Sequence, residues 1–274
     1  HRSRICRGGS RMAGLGGEIQ RRDGAGLSVW LRSTAPALLR QKSCEILSIQ
    51  GGRMMAELIL KDVYYRYPGT KKDVLQGVDA EFPAGTVTAV MGRSGAGKST
   101  MLYLLAGLDV PTGGTIEYNG QELKKSMLDI YRRTETATIA QNYLLFPTRT
   151  ALENVLYPLQ LAKVEKEAAI AEAKQHLASV GIPEELHDRL PAKLSGGEQQ
   201  RVAIARALAS HSNVIAADEP TGNLDEENAD AVMALLKRLA HEQGKTVIVV
   251  THDRTLAEEA DRFYRLQRGR IVKE

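Results

Sequence analysis

Gly92-Arg93-Ser94-Gly95-Ala96-Gly97-Lys98-Ser99-Thr100 is the stretch around which the rest of the chain is read. A glycine, four free positions and then Gly-Lys-Ser is the pattern of a loop that wraps phosphate. Glycines let the backbone approach closely and aim successive N–H groups at phosphate oxygens, and a helix beginning at the end of the loop adds its positive dipole end. Lys98 then brings a point charge to the β- and γ-phosphates, and the Ser99 hydroxyl is placed to ligate Mg2+. Gly92, Ser94, Gly95, Gly97, Lys98, Ser99 and Thr100 are therefore the expected nucleotide contacts. Thr86-Val87-Thr88-Ala89-Val90-Met91 reads as a buried strand entering the loop, and Met101, Leu104, Leu105 and Leu108 recur at helical spacing after it. An accidental match by a glycine-rich turn is expected roughly once in a hundred chains of this length.

The charge of +4 is unevenly placed. Residues 1–54 carry ten Lys/Arg against three Asp/Glu, so the remainder is slightly acidic and gives no sign of a nucleic-acid partner. Both cysteines, Cys6 and Cys44, and the only tryptophan, Trp30, also precede residue 55. The body has neither a disulfide framework nor a cysteine metal site, which suits a cytosolic protein. Apolar runs such as Val247–Val250 are far short of the ~20 residues a spanning helix needs, so any membrane role comes through a partner.

Residues 1–54 are rich in Arg, Gly and Ser and hold no sustained period. They read as a disordered basic arm, as a secretory signal interrupted by Gly and Arg, or, the favoured expectation, as a translated upstream leader. Gln50-Gly51-Gly52 is encodable as a purine-rich ribosome-binding sequence, and Met54 and Met55 follow closely as candidate starts. A mass-spectrometric peptide from residues 1–50 in the native host would exclude that reading.

Strand-like runs at Leu58–Leu60, Val63–Tyr65, Val74-Leu75 and Val78–Phe82, with a turn at Pro68-Gly69, predict an antiparallel sheet ahead of the loop. After the loop helix, Thr115–Tyr118 ending at Asn119-Gly120 predicts a hairpin. Helix formers dominate 150–190, with breakers at Pro158, Gly181 and Pro183. Apolar strands at Val214–Ala217 and Val247–Val250, with a helical run Ala229–His241 between them, predict a parallel sheet covered on both faces.

Five further stretches carry chemistry. Leu194-Ser195-Gly196-Gly197-Glu198 has the serine and glutamate of a capping box, and the same serine and glycines at a helix start form an anion site; the two roles are compatible. Val214–Ala217 ends in Asp218-Glu219, where an Asp suits Mg2+ and a Glu suits the attacking water; a solvated acidic strand end looks the same. Pro220–Asp225 by itself is a loop. His252 closes another apolar strand, where ligands of such sheets gather. Gln141, after Thr138-Ile139-Ala140, carries almost no signal alone.

In this order the motifs resemble those of the ATP-binding cassette (ABC) family of transporter ATPases: phosphate loop, glutamine loop, Leu-Ser-Gly-Gly signature followed by Arg201–Leu208, Asp-Glu strand, Asn223-Leu224-Asp225 loop and histidine loop. The resemblance covers residues 56–274. It implies an α/β P-loop NTPase with a RecA-like core, an antiparallel β subdomain and an α-helical subdomain at about 142–195, all within residues 55–274. It implies hydrolysis of ATP to ADP and phosphate, with Mg2+, coupled to a separate transmembrane permease at the cytoplasmic face of the plasma or inner membrane. Tyr67 matches the aromatic that stacks on adenine. Ser99, Asp218 and Gln141 attend Mg2+, with Gln141 also sensing the attacking water; Glu219 serves as base or water-orienter and His252 steadies the γ-phosphate. Ser195, Gly196 and Gly197 of one copy contact the nucleotide held by Lys98 of a second copy, and Asp225 crosses that interface.

Ala140 stands where the family often has an aromatic, and Ala216 and Ala217 are small for the Asp-Glu strand; none of these removes a reacting group. Pro220–Asp225, Thr150–Val155 and the compact C-terminus are most similar to the bacterial lipoprotein-release and macrolide-export branch, with cell-division ATPases and peptide exporters close by. The cargo is not legible. The competing class is a soluble ABC ATPase acting on nucleic acid or an assembly scaffold, but the second cassette, long coiled coil or zinc cysteines usual there are missing from the sequence. Between residues 142 and 157, Leu145, Phe146 and Leu152 either pack the helical subdomain or meet the permease.

Overall fold

A computed structural model describes residues 57–272. The expected leader, residues 1–54, lies outside the described residues. β1 (Leu58–Tyr65) pairs antiparallel with β2 (Leu75–Phe82) and with β4 (Gly113–Tyr118). β4 turns through Asn119 and Gly120, at φ 51° and 75°, into the short β5 (Gln121–Glu122), giving the order β2-β1-β4-β5. The apolar runs Leu58–Leu60 and Val63–Tyr65 are one strand, with the register shifting between them and Asp62 at φ 48°. Val74 stays outside β2.

The second sheet contains β3 (Val87–Met91), β6 (Thr136–Ile139), β7 (Val214–Asp218), β8 (Thr246–Thr251), β9 (Arg262–Gln267) and β10 (Arg270–Val272), in the order β10-β9-β3-β8-β7-β6. All its pairings are parallel except that of β10. Alternation divides the buried strands between two cores. Ile215, Ala217, Val247 and Val249 face one, and Val214, Ala216, Ile248 and Val250 face the other. Both small residues, Ala216 and Ala217, are fully buried.

α1 (Lys98–Leu105) packs Met101, Leu104 and Leu105 into the core shared with the antiparallel sheet. Leu108, expected on the same face, is exposed instead. Gly107 at φ 70° ends the helix, with Gly107 N–H donating to Leu104 and Leu108 N–H to Tyr103, so the chain leaves the helical face before Leu108. α2 (Leu128–Thr134) precedes β6.

α3 (Ala151–Leu161), α4 (Lys166–Ser179) and α5 (Gly196–Leu208) join the opposite core. Pro158 does not break α3. The helix runs through it to Leu161 and Ala162 N–H still donates to Pro158. The ring removes one rung of the ladder, while fully buried Ala151, Val155 and Leu159 hold the helix against the core. α6 (Glu226–His241) buries Val232, Met233, Leu235, Leu236, Leu239 and Ala240 and turns its charges outward; α7 (Arg254–Glu258) follows β8.

Candidate nucleotide site

The parallel sheet aims the carboxyl ends of β3, β7 and β8 toward one place, the phosphate loop following β3 and the residues after its neighbours converging there. Gly97, the N-cap of α1, sits at φ 106°, which a side chain rarely tolerates, and makes no side-chain cap bond. α3, α5 and α6 do have such caps: Thr150 with Glu153, Ser195 with Glu198, and Asp225 accepting from Asn228 N–H. The first turn of α1 thus keeps N–H groups for an anion.

A cavity of about 510 Å³ opens over this turn, lined by Ser94, Gly95, Gly97, Lys98, Ser99, Thr100, Glu219 and His252 together with Val74. Lys98 is 7% exposed, its ammonium donating to the Gly92 carbonyl at 2.8 Å and less directly to Arg93 at 3.4 Å. An adjoining cavity shares Ser94, Gly95 and His252 and is lined also by Arg93, Arg254, Arg265 and Arg268. Among the described residues no carboxylate lines it, and its four arginines make it a lining that favours an anion.

Ser99 Oγ lies 3.5 Å from Asp218 Oδ1. Burial pushes the Asp218 carboxyl above its usual range; Ser99 opposes the shift, neighbouring Glu219 reinforces it and Lys98 opposes it. A hydroxyl and a carboxylate side by side are hard oxygen donors. They fit Mg2+, which takes one or two protein oxygens and completes its shell with phosphate and water. Among the described residues no cluster of three or more His, Cys, Asp or Glu is arranged to hold a metal on protein ligands alone.

Glu219 follows β7 at φ 45°, a costly conformation for a side chain and one that concentrates at functional sites. Its N–H remains tied to Val250 of the adjacent β8, and Oε1 meets His252 Nδ1 at 3.0 Å. Gln141 is close by. The position of a Cβ on Gly222 would lie 3.2 Å from Gln141 Nε2 and 3.3 Å from Glu219 Oε2, and the Gln141 carbonyl accepts from Asn223. Tyr67 is half-exposed, its hydroxyl 3.0 Å from Thr100 Oγ1. Ser195, Gly196, Gly197 and Asp225 line neither cavity. Ser195 and Asp225 are exposed helix caps, and Gly196 and Gly197 lie against Tyr143 and Asn228.

Two structural residues escaped the sequence reading. Asn154 is fully buried on α3: its Oδ1 accepts from Phe146 N–H at 2.8 Å, and its amide donates to the carbonyls of Phe146, Arg149 and Thr150. Arg206 donates to the carbonyls of Tyr143 and Leu144, and burial lowers its pKa. Both organise the segment after Gln141 through backbone carbonyls, for which a sequence holds no local signal. Asn154→Ala leaves that turn without its hub and should lower unfolding stability by roughly 2–3 kcal/mol. Urea titration measures this, and a change below about 0.5 kcal/mol, the range of an ordinary surface substitution, would remove the hub role.

The sequence profile of the family described as ABC transporter matches residues 75–222. The chain is 42% identical over 228 residues to the lipoprotein-releasing system ATP-binding protein LolD of Hydrogenovibrio crunogenus, covering 80% of this chain and 97% of that protein. It is 44% identical over 208 residues to the protein of the same name from Syntrophotalea carbinolica, covering 74% and 91%. A solved bacterial ABC transporter cassette, described as dimeric, superposes with a TM-score of 0.72 at 38% identity, covering 79% of this chain and 97% of the cassette. A dimeric post-hydrolysis state of the cassette, bound to ADP and Pi, gives a TM-score of 0.72 at 37% identity over the same shares.

Proposed function

The chain belongs to the ABC transporter family as an ATP-binding subunit with ATPase activity, and from that premise we propose that the cavity above α1 is where it hydrolyses Mg·ATP. The observation that carries this reading is the opening of Lys98, Ser99 and the Glu219–His252 pair onto one space. Phosphate release by the purified chain tests it. Turnover that requires Mg2+ and disappears in Lys98→Ala is expected, and undiminished turnover in that variant would move the site elsewhere.

The loop N–H groups and Lys98 bind the phosphates. Ser99 and Asp218 hold Mg2+, which when bound neutralises charge on the phosphate oxygens. Glu219 orients the attacking water and accepts its proton, while His252, donating from Nδ1, fixes the carboxylate and so acts toward the γ-phosphate end of the site. Gln141, beside Glu219, follows the water and the metal. Most of the rate comes from positioning and preset charge.

The partners follow from the same reading. A second copy supplies Ser195, Gly196 and Gly197 to the phosphates, Asp225 lies at the junction, and a separate permease holds the pair at the cytoplasmic face of the membrane. No helix among the described residues is long and apolar enough to cross one. The similarity to lipoprotein-releasing ATP-binding proteins favours a transporter subunit over a soluble ATPase working on nucleic acid.

The permease-facing surface narrows to fewer residues than the sequence offered. Leu145 and Leu152 pack against the core. Phe146 is 36% exposed, its ring edge-on to Tyr157 at 4.8 Å and flanked by the guanidinium groups of Arg149 and Arg206, and neighbouring Leu144 is 62% exposed. An exposed aromatic in a rim of charge suits a docking helix. Phe146→Asp should abolish co-purification with the permease and leave ATP hydrolysis by the isolated chain unchanged. Retained co-purification would place the contact elsewhere.

A further inference from the structure

Resting on the reading of Tyr67 as the adenine platform, we infer that this platform is locked in position before the base arrives, by Thr100 of the phosphate helix and by buried Tyr65, whose hydroxyl is held by Asp109. Tyr67 sits just before the Pro68-Gly69 turn and lines a cavity of about 590 Å³ outside the phosphate cavity. Tyr67 is 39% exposed, and such a side chain on a loop would ordinarily sample several rotamers at an entropic cost to any ligand that must fix it.

Two contacts remove that freedom. The Tyr67 hydroxyl is 3.0 Å from Thr100 Oγ1, on the first turn of α1 and itself part of the phosphate cavity. The Tyr67 ring also meets Tyr65 at 5.1 Å and 87°, an edge-to-face contact. Tyr65 is in turn 2% exposed and donates its hydroxyl to Asp109 Oδ2 at 2.9 Å, while the other oxygen of Asp109 accepts from Val110 N–H. Burial and the Asp109 carboxylate both raise the Tyr65 pKa, so this hydroxyl stays protonated and donating. The chain Asp109–Tyr65–Tyr67–Thr100 links the turn that follows α1 back to the first turn of that helix through the platform. A platform already ordered before the base arrives binds it more tightly than a mobile one.

The test compares equilibrium binding of Mg·ATP with that of Mg·tripolyphosphate, which has the phosphates without the base, to the purified chain. Tyr67→Phe keeps the stacking ring and loses only the hydroxyl. It should weaken ATP about 3- to 10-fold, the range of one neutral hydrogen bond, and leave tripolyphosphate unchanged. Thr100→Val should weaken ATP relative to tripolyphosphate by the same factor, Thr100→Ser should restore it, and the double variant Tyr67→Phe with Thr100→Val should show no further loss in that ratio. Asp109→Ala, at a position lining neither the platform cavity nor the phosphate cavity, should shift the ratio in the same direction. An unchanged ratio in Tyr67→Phe, or fully additive losses in the double variant, overturns the coupling. Tyr67→Ala separates this from the underlying reading, because ATP affinity that survives loss of the whole ring means that Tyr67 is not the base platform.

Discussion

Glu219→Gln should bind Mg·ATP normally and hydrolyse it at least about 100-fold more slowly than the unaltered chain. The amide keeps the size of the carboxylate and can still accept from His252 Nδ1, 3.0 Å from Oε1 in the present site. It cannot take the proton of the attacking water. Glutamine also meets the same backbone demand at φ 45°, so the substitution alters charge and basicity more than fold. ATP should remain trapped, and a dimer stable to gel filtration should accumulate with it. Lys98→Ala should fail earlier, at binding, since it removes the only lysine among the described residues that line the cavity. Phosphate release measured beside equilibrium ATP binding separates the two variants. Near-normal turnover by Glu219→Gln would remove Glu219 as the catalytic carboxylate.

Mixing Lys98→Ala chains with Ser195→Arg chains, each nearly inactive alone, should restore up to roughly a quarter of the wild-type active sites. Ser195 caps α5, accepting from Glu198 N–H, yet lies outside the cavity that holds Lys98. An anion site at that helix start would have no phosphate of its own chain to serve. If one copy's Ser195 acts on the nucleotide of the other, each mixed pair contains one site with both defects and one with neither. Random pairing then gives the expected fraction. Interface cross-linking run alongside distinguishes chains that fail to pair from pairs that fail to hydrolyse. Monomers that never associate and still hydrolyse ATP at the full rate would overturn the shared site.

The chemistry of this chain is legible in its sequence where contiguous residues do the work. The phosphate loop is one run of backbone from Gly92 to Gly97 feeding a helix, so its residues and their order suffice. Ser195 with Glu198, and Asp218 with Glu219, are likewise local: a capping box joins residues three apart, and a strand end is marked by where apolar residues stop. The alternation of Val214–Ala217 and Val247–Val250 between the two cores also follows from a period of two. What the sequence by itself determined is therefore the inventory of candidate reacting groups and the elements that carry them. Neighbourhood needed the tertiary structure. His252 reaches Glu219 because β8 lies between β3 and β7, and strand order is set by how helices cross the sheet, which periodicity does not encode. Pro158 stays helical and Leu108 turns outward because burial across α3 and the turn at Gly107 outweigh local preference. Arg206 and the Tyr67–Thr100 bond act over about 3 Å between segments far apart in the chain, and Asn154 gathers carbonyls four to eight residues before it, so only the folded backbone decides which polar atoms meet.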